Sequence, residues 1–355
     1  MTIDTSNNNA GMAGMKGSTK FTSPWWLPGG HAQTLYRKFS QAPALTQVRE
    51  RIELDDGDFI DVDWSAETGY HEQASDIVVF ILHGLCGCSR SPYILSLQKE
   101  LAAHEISSVA MNFRGCSGEM NRLAKAYHSG ISEDVEEVVE KLARRWPGRE
   151  YVFVGNSLGA NVMLKWLGQR SGLSLGDGER ATGRIKGAIA VSTPFDLAEC
   201  SRAMLKGLSR FYGSYFVNKL VADMAAKLQH FQTNDHAEQT EILRALGDPQ
   251  LVGNIWEFDD RFTAPLHGFA DASDYYTRSS SGQYLPDITA ETLLIQSAND
   301  PLIPPTALPD RAALPYNVRL ELTSTGGHVG FITGRRSNWL ESRIVHFIKG
   351  ELSRT

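Results

Sequence analysis

This 355-residue chain has no cysteine pattern from which a disulfide framework could be built. Its 4 cysteines, Cys86, Cys88, Cys116 and Cys200, are too few for one and lack the two-pair spacing of a zinc site. Cys86-Gly-Cys88 has no partner His or Cys at a spacing that completes a redox or metal motif, so all four read as reduced thiols. A basic excess is missing too: 35 Lys and Arg face 41 Asp and Glu, a net charge of −6. That balance excludes a general binder of nucleic acid or anionic membranes, which needs surplus positive surface. No apolar run approaches the ~18 residues of a membrane span. The longest, Ile77 to Leu82, has the length of a buried strand. No basic start followed by an apolar run marks a signal peptide; residues 1–20, rich in Asn, Gly, Ser and Thr, predict a disordered leader on a cytoplasmic protein. With 42% hydrophobic and 21% charged residues, the rest has the composition of a packed globular protein.

Beyond the leader there is no repeat, and strand-like and helix-like periods alternate. Arg51 to Leu54 and Phe59 to Trp64 flank Asp55-Asp56-Gly57-Asp58, a hairpin signature. The β-branched run Ile77 to Leu82 predicts a strand covered on both faces of a mostly parallel sheet. A helix from Tyr93 to His104 and a strand from Ser107 to Phe113 follow. Ser132 is the expected cap of the next helix, with Glu133 and Asp134 suiting its dipole and Glu140 four residues before Arg144. Tyr151 to Val154 is a strand, and Ala160, Met163, Leu164 and Leu167 mark one face of a helix. Ile185 to Val191 is the next strand. Between Asp196 and Leu285 only helical or irregular pattern appears, rich in aromatics; strands return at Thr292 to Gln296 and Val318 to Leu322, with a last helix around Trp339 to Ile348. The expected organisation is a leader over 1–20, an α/β core over 21–195, a mainly helical lid over 196–285, and the rest of the core over 286–355. Pro24 to Tyr36, with Trp25 and Trp26, is expected to pack on that assembly.

Gly155-Asn156-Ser157-Leu158-Gly159 falls between the strand at Tyr151 and the helix after it. This is G-x-S-x-G in the strand–turn–helix setting of a nucleophile elbow, where a tight turn leaves no room for β-carbons two residues either side of the serine. Serine needs a base. Of 10 histidines, His328 in Gly326-Gly327-His328 follows the last strand, where a base belongs. His346 lies on the final helix and His83 comes too early, while His31, His128 and His267 are candidates for pocket lining. Asp300 follows the penultimate strand and is the expected acid, with Asp259, Asp260 and Asp271 as alternatives inside the lid. The order Ser157, Asp300, His328 is that of α/β hydrolases. Two backbone amides would face the developing oxyanion: Leu158, next after the serine, and Leu85, after the first buried strand, with Gly84 and Gly87 letting that loop come close.

Several motifs in order resemble the YheT-like group of α/β hydrolases. They are Pro24-Trp25-Trp26-Leu27-Pro28-Gly29-Gly30-His31-Ala32-Gln33-Thr34, His83-Gly84-Leu85, Phe113-Arg114-Gly115-Cys116-Ser117-Gly118-Glu119, Tyr127-His128-Ser129-Gly130, the elbow with Asn161 after it, Phe258-Asp259-Asp260 and Gly326-Gly327-His328-Val329-Gly330-Phe331. The likeness runs from about Phe21 to near the C-terminus. It implies an α/β-hydrolase fold, a mostly parallel central sheet flanked by helices, with Ser157, Asp300 and His328 as nucleophile, acid and base. Bacterial members are taken as esterases; yeast and animal relatives resemble medium-chain ester hydrolases, alcohol acyltransferases and lipid hydrolases. Cys86 and Cys88 depart from the acidic or small residues common in that loop, and the anchor of many animal relatives is not seen. The resemblance implies a small-molecule ester as partner, no cofactor and no metal. It leaves transfer to an alcohol, or a silent fold used for binding, as alternatives. Arg114, His128 and Asp259 look characteristic of the group without an assigned role. Phe211, Tyr212, Tyr215, Phe216, Tyr275 and Tyr276 suggest either lid packing or a site for a short to medium acyl chain. Composition sets no oligomeric state.

Overall fold

The computed structural model describes residues 20–69, 76–170, 172, 174–175, 183–334 and 339–353; the leader expected over 1–20 lies outside them except for Lys20. β1 (Gln47–Glu53) and β2 (Phe59–Ser65) form the antiparallel hairpin announced by the Asp-Asp-Gly-Asp turn. β3 (Ile77–Leu82), β4 (Ser107–Met111), β5 (Arg149–Asn156), β7 (Gly183–Val191), β8 (Thr292–Ser297) and β9 (Val318–Thr323) run parallel, and the short β6 (Ser174–Leu175) pairs with β7. The strand order is β1-β2-β4-β3-β5-β7-β8-β9.

The apolar runs in β3 and β5 divide between the two faces, as a period of two requires. Val78, Phe80, Leu82, Tyr151 and Phe153 join one core cluster, with α3 (Ser132–Arg145) and α4 (Leu158–Gln169). Val79, Ile81, Val152 and Val154 join the other, with α2 (Pro92–Ala103) and α11 (Trp339–His346). α3 turns Val135, Val138, Val139 and Leu142 inward and keeps acids in its first turn and Arg144 and Arg145 in its last. Ser132 does not cap it. Ile131 holds that position, and the Ser132 hydroxyl instead donates to Gln169 and accepts from Lys165, because it faces α4 and not the open helix end. Glu140 accepts from Arg170 across to α4.

Between β7 and β8 the chain is helical: α5 (Leu197–Ala203), α6 (Arg210–Thr233), α7 (Ala237–Ala245), α8 (Ile255–Phe258), α9 (Ala264–Leu266) and α10 (Ala272–Ser279). It has a core of its own, built on Val217, Val221, Met224, Phe231, Phe258 and Phe262. Asn161, one turn into α4, ties it down: its amide donates to the Ser129 and Ser279 carbonyls and accepts from the Ser281 N–H. α1 (Gly30–Phe39) crosses the loops that follow β8 and β9. Trp25 does not pack as expected and is 91% exposed; Phe21 fills that role, edge-on to Phe331 and Trp339. No helix among the described residues is long and apolar enough to cross a membrane.

Candidate active site

Ser157, Asp300 and His328 all stand beyond the carboxyl ends of parallel strands, where open α/β sheets place ligands. Ser157 has φ 53° and ψ −120°, a strained conformation for a residue with a side chain. The flanking glycines make the turn possible. A Cβ on Gly155 would lie 2.4 Å from the Ala160 Cα, and one on Gly159 would lie 2.4 Å from the His83 carbonyl oxygen.

The three side chains meet although the chain separates them widely. The His328 Nδ1 lies 2.9 Å from the Asp300 Oδ2, and its Nε2 lies 2.8 Å from the Ser157 Oγ. With the carboxylate accepting from Nδ1–H, Nε2 is left to accept from the serine hydroxyl. Asp300 is anchored by the Leu302 and Ile303 N–H groups at 2.8 and 3.2 Å. The His328 loop is held by residues that sequence reading did not single out. The N–H of His328 donates to the Thr34 hydroxyl of α1 (2.8 Å), that of Val329 to the Ser192 hydroxyl after β7 (2.9 Å), and that of Gly327 to the Asn299 side chain (3.1 Å). α1 comes so near that a Cβ on Gly327 would stand 2.3 Å from the Gly30 carbonyl oxygen. The signal for Thr34 was its place in the Gly29 to Thr34 motif.

The loop after β3 lies against the serine, for a Cβ on Gly84 would sit 3.1 Å from the Ser157 Cβ. Two partly buried tyrosines fix it. The Gly84 N–H donates to the Tyr93 hydroxyl (2.8 Å) and the Cys86 N–H to the Tyr127 hydroxyl (2.9 Å). Between them the Leu85 amide has no acceptor among the described residues, and neither does the Leu158 amide at the start of α4. Burial pushes both phenols up, that of Tyr93 to about 12, so each stays a neutral partner. His83 is a staple, not a base: it accepts from the Phe113 N–H at Nε2 (3.1 Å) and so donates from Nδ1 to the Gly84 carbonyl (2.8 Å). Complete burial drives its pKa down to about 4. His346 sits on α11 at the surface, 3.9 Å from Glu351.

A largely apolar cavity of about 210 Å³ opens at Ser157 and His328 and runs under the helical segment. His128 and His267 line it as expected, whereas His31 stacks on Tyr212 and accepts or donates a 3.1 Å hydrogen bond there. Of the six aromatics read as either lid packing or an acyl-chain site, Phe216, Tyr275 and Tyr276 line the cavity; Phe211 and Tyr215 are exposed, because they lie on the outer side of α6. Asp259 lies in the cavity wall, hydrogen-bonded to Thr263 (2.6 Å) and Tyr276 (2.6 Å), and burial raises it to about 6. Asp260 and Asp271 accept from the backbone N–H groups of Ala272 and Asp274, turn contacts away from the serine. Arg114 is a buried scaffold: it grips Asp134 through two 2.7 Å bonds and reaches Asp56 and Asp58. No cluster of three or more His, Cys, Asp or Glu among the described residues has metal-holding geometry.

The profile of the alpha/beta hydrolase fold matches residues 77–335. The chain is 38% identical to "Putative esterase YheT" of Escherichia coli (strain K12), over 90% of this chain and 89% of that one. It is 28% identical to Phospholipase ABHD3 of Homo sapiens, over 91% of this chain and 77% of the relative. Among solved structures, the Pyrococcus furiosus esterase Pf2001 superposes with a TM-score of 0.54 at 17% identity, over 86% of this chain and 91% of that one.

Proposed function

The chain belongs to the α/β-hydrolase fold family, and from that premise we propose that it is a serine hydrolase of carboxylic esters. Ser157 attacks the ester carbonyl while His328 takes its proton. Asp300 holds the imidazole in the tautomer that leaves Nε2 free to accept, and it stabilises the imidazolium that forms. The tetrahedral oxyanion is met by the amides of Leu85 and Leu158. His328 then gives the proton to the leaving alkoxide, the alcohol departs, and a water activated by the same imidazole releases the acid from the acyl-enzyme. Charge and protons balance without any group beyond these side chains and water.

The observation that carries this reading is the unbroken relay from Asp300 through His328 to Ser157, at 2.9 and 2.8 Å. The printed names of the relatives, an esterase and a phospholipase, support an ester as the substrate. The apolar cavity supports a short to medium acyl chain. The test is labelling by a fluorophosphonate probe together with turnover of p-nitrophenyl esters. Wild type is expected to label and turn over, and Ser157→Ala, folded to the same melting temperature, to do neither. Equal turnover by the two proteins sinks the assignment.

A further inference from the structure

The cavity that opens at Ser157 also carries basic groups for which the proposed reaction has no use. Lys227, on α6, and His128 are 4% and 5% exposed, and both line it together with His267 and Arg114. Arg114 is fully engaged by its three aspartates. Lys227 is not. Its ammonium donates to the Lys125 carbonyl at 2.5 Å, and among the described residues no carboxylate pairs with it, so two of its three donors are left over. His128 accepts from the Gly130 N–H at Nδ1 (3.1 Å), which puts its proton on Nε2, where no described residue accepts it. His267 packs with its ring centroid 4.4 Å from that of His128, and its ring has no hydrogen bond among the described residues.

The acids nearby are committed elsewhere. Asp58 acts on Lys227 through space but is bonded to Arg114, Asn121 and the Arg122 N–H. Asp223, one turn earlier on α6, pairs with Lys219, and Asp259 is held by Thr263 and Tyr276. Burial, reinforced by repulsion from neighbouring cations, lowers Lys227 to about 7 and His267 to about 3 and holds His128 well below its ordinary value. Donors left over in an apolar wall carry a desolvation cost that a complementary acceptor removes.

We propose that Lys227, His128 and His267 form a subsite for an anionic group, a carboxylate or a phosphate, carried by the substrate away from its scissile ester. This rests on the serine-hydrolase reading above. An oxyanion there accepts the spare Lys227 hydrogens and the His128 Nε2–H, and it restores the charge that burial alone suppresses. The preferred substrate is then an ester with an apolar middle and a charged far end.

The experiment compares p-nitrophenyl esters of plain fatty acids, from butanoate to dodecanoate, with matched esters ending in a carboxylate or a phosphonate. Wild type is expected to favour one anionic series at its best length by about tenfold or more in kcat/KM, a difference of about 1.4 kcal/mol. In Lys227→Met and, independently, His267→Gln, the ratio is expected to fall towards one. The carboxylate and phosphonate arms tell the two anions apart. A wild-type ratio at or below one at every length overturns the subsite, whatever the variants do. If no ester of either kind is turned over and the fluorophosphonate does not label, the hydrolase reading fails separately. Titrating Ser157→Ala with decanoate and decan-1-ol then decides the subsite alone: tighter carboxylate binding that Lys227→Met abolishes supports it, and equal binding overturns it.

Discussion

Around Ser157 the side chains that meet are partnered by one another, whereas around Lys227 two ammonium donors and an imidazole N–H are left over, although one cavity joins the two places. His328 is held at both ring nitrogens and at its backbone N–H, and Asp300 accepts two further N–H groups. The Leu85 and Leu158 amides there have no acceptor among the described residues. At the other place two ammonium donors and an imidazole N–H are left over inside apolar walls. The contrast separates two kinds of incompleteness. On the proposed reading, the place at Ser157 leaves open the positions that a transition state would fill, and the place at Lys227 those that a ground-state ligand would fill.

The largest test of that contrast is Asp300→Asn. The amide keeps the shape but disfavours the tautomer in which Nε2 accepts, so turnover is expected to fall by about 10⁴ with folding retained. A loss below about tenfold would move the acid role to another carboxylate, Asp259 and Asp223 being the two in the cavity wall. Next comes Tyr127→Phe, which keeps the ring stacked on Phe113 but removes the hydroxyl that holds the Cys86 N–H. If that bond positions the Leu85 amide for the transition state, kcat drops by about tenfold while KM stays within about twofold. A rise in KM alone would make Tyr127 a lining residue and nothing more.

The smallest effect concerns stability. His83, His128 and His267 stay neutral in the folded protein below the pH at which they become charged on unfolding. Lowered folded pKa values mean that the unfolded state binds more protons, so stability is present above pH ~6.5 and is lost as pH falls towards 4. For His83, from its ordinary 6.5 to about 4, the loss is about 3 kcal/mol. Asp259, raised to about 6, and Asp134, also raised by burial, act in the opposite sense over the acid part of that range, two groups against three. Thermal melts from pH 7 to 4 are expected to show a falling midpoint, with a shallower fall in His267→Gln. An unchanged slope would mean that this imidazole does become charged in the folded state.

Much of this was legible in the residues themselves. The run Ile77 to Leu82 read as a strand covered on both faces, and Gly155 to Gly159 as a tight strand–turn–helix, and both are found. Asp300 and His328 were expected from their places after the last two strands and from the family resemblance, and their side chains do meet Ser157. What escaped were groups defined by distant partners. Nothing local tells that Thr34 holds His328, that Tyr93 and Tyr127 clasp a loop by its N–H groups, or that Ser132 faces α4 and does not cap α3. Lys227 sits in a segment whose sequence reads only as helical or irregular, and its place beside Arg114, His128 and the Lys125 carbonyl appears only in the folded chain. Trp25 and Phe211 misled because aromatic character does not say which side of an element faces inward.

The crossing of α1 over the loops after β8 and β9 has a consequence for how the protein is made. Gln33 exchanges hydrogen bonds with the backbone of Ile332, Arg37 pairs with Glu341, and Thr34 holds His328, all across some three hundred residues of chain. Contacts of such high sequence separation form late, since loop closure must be completed before they contribute. A nascent chain can therefore build its early strands and the serine turn while still on the ribosome. On the proposed serine-hydrolase reading, it stays chemically inert until its last strand and helix emerge, with the early helix waiting for them.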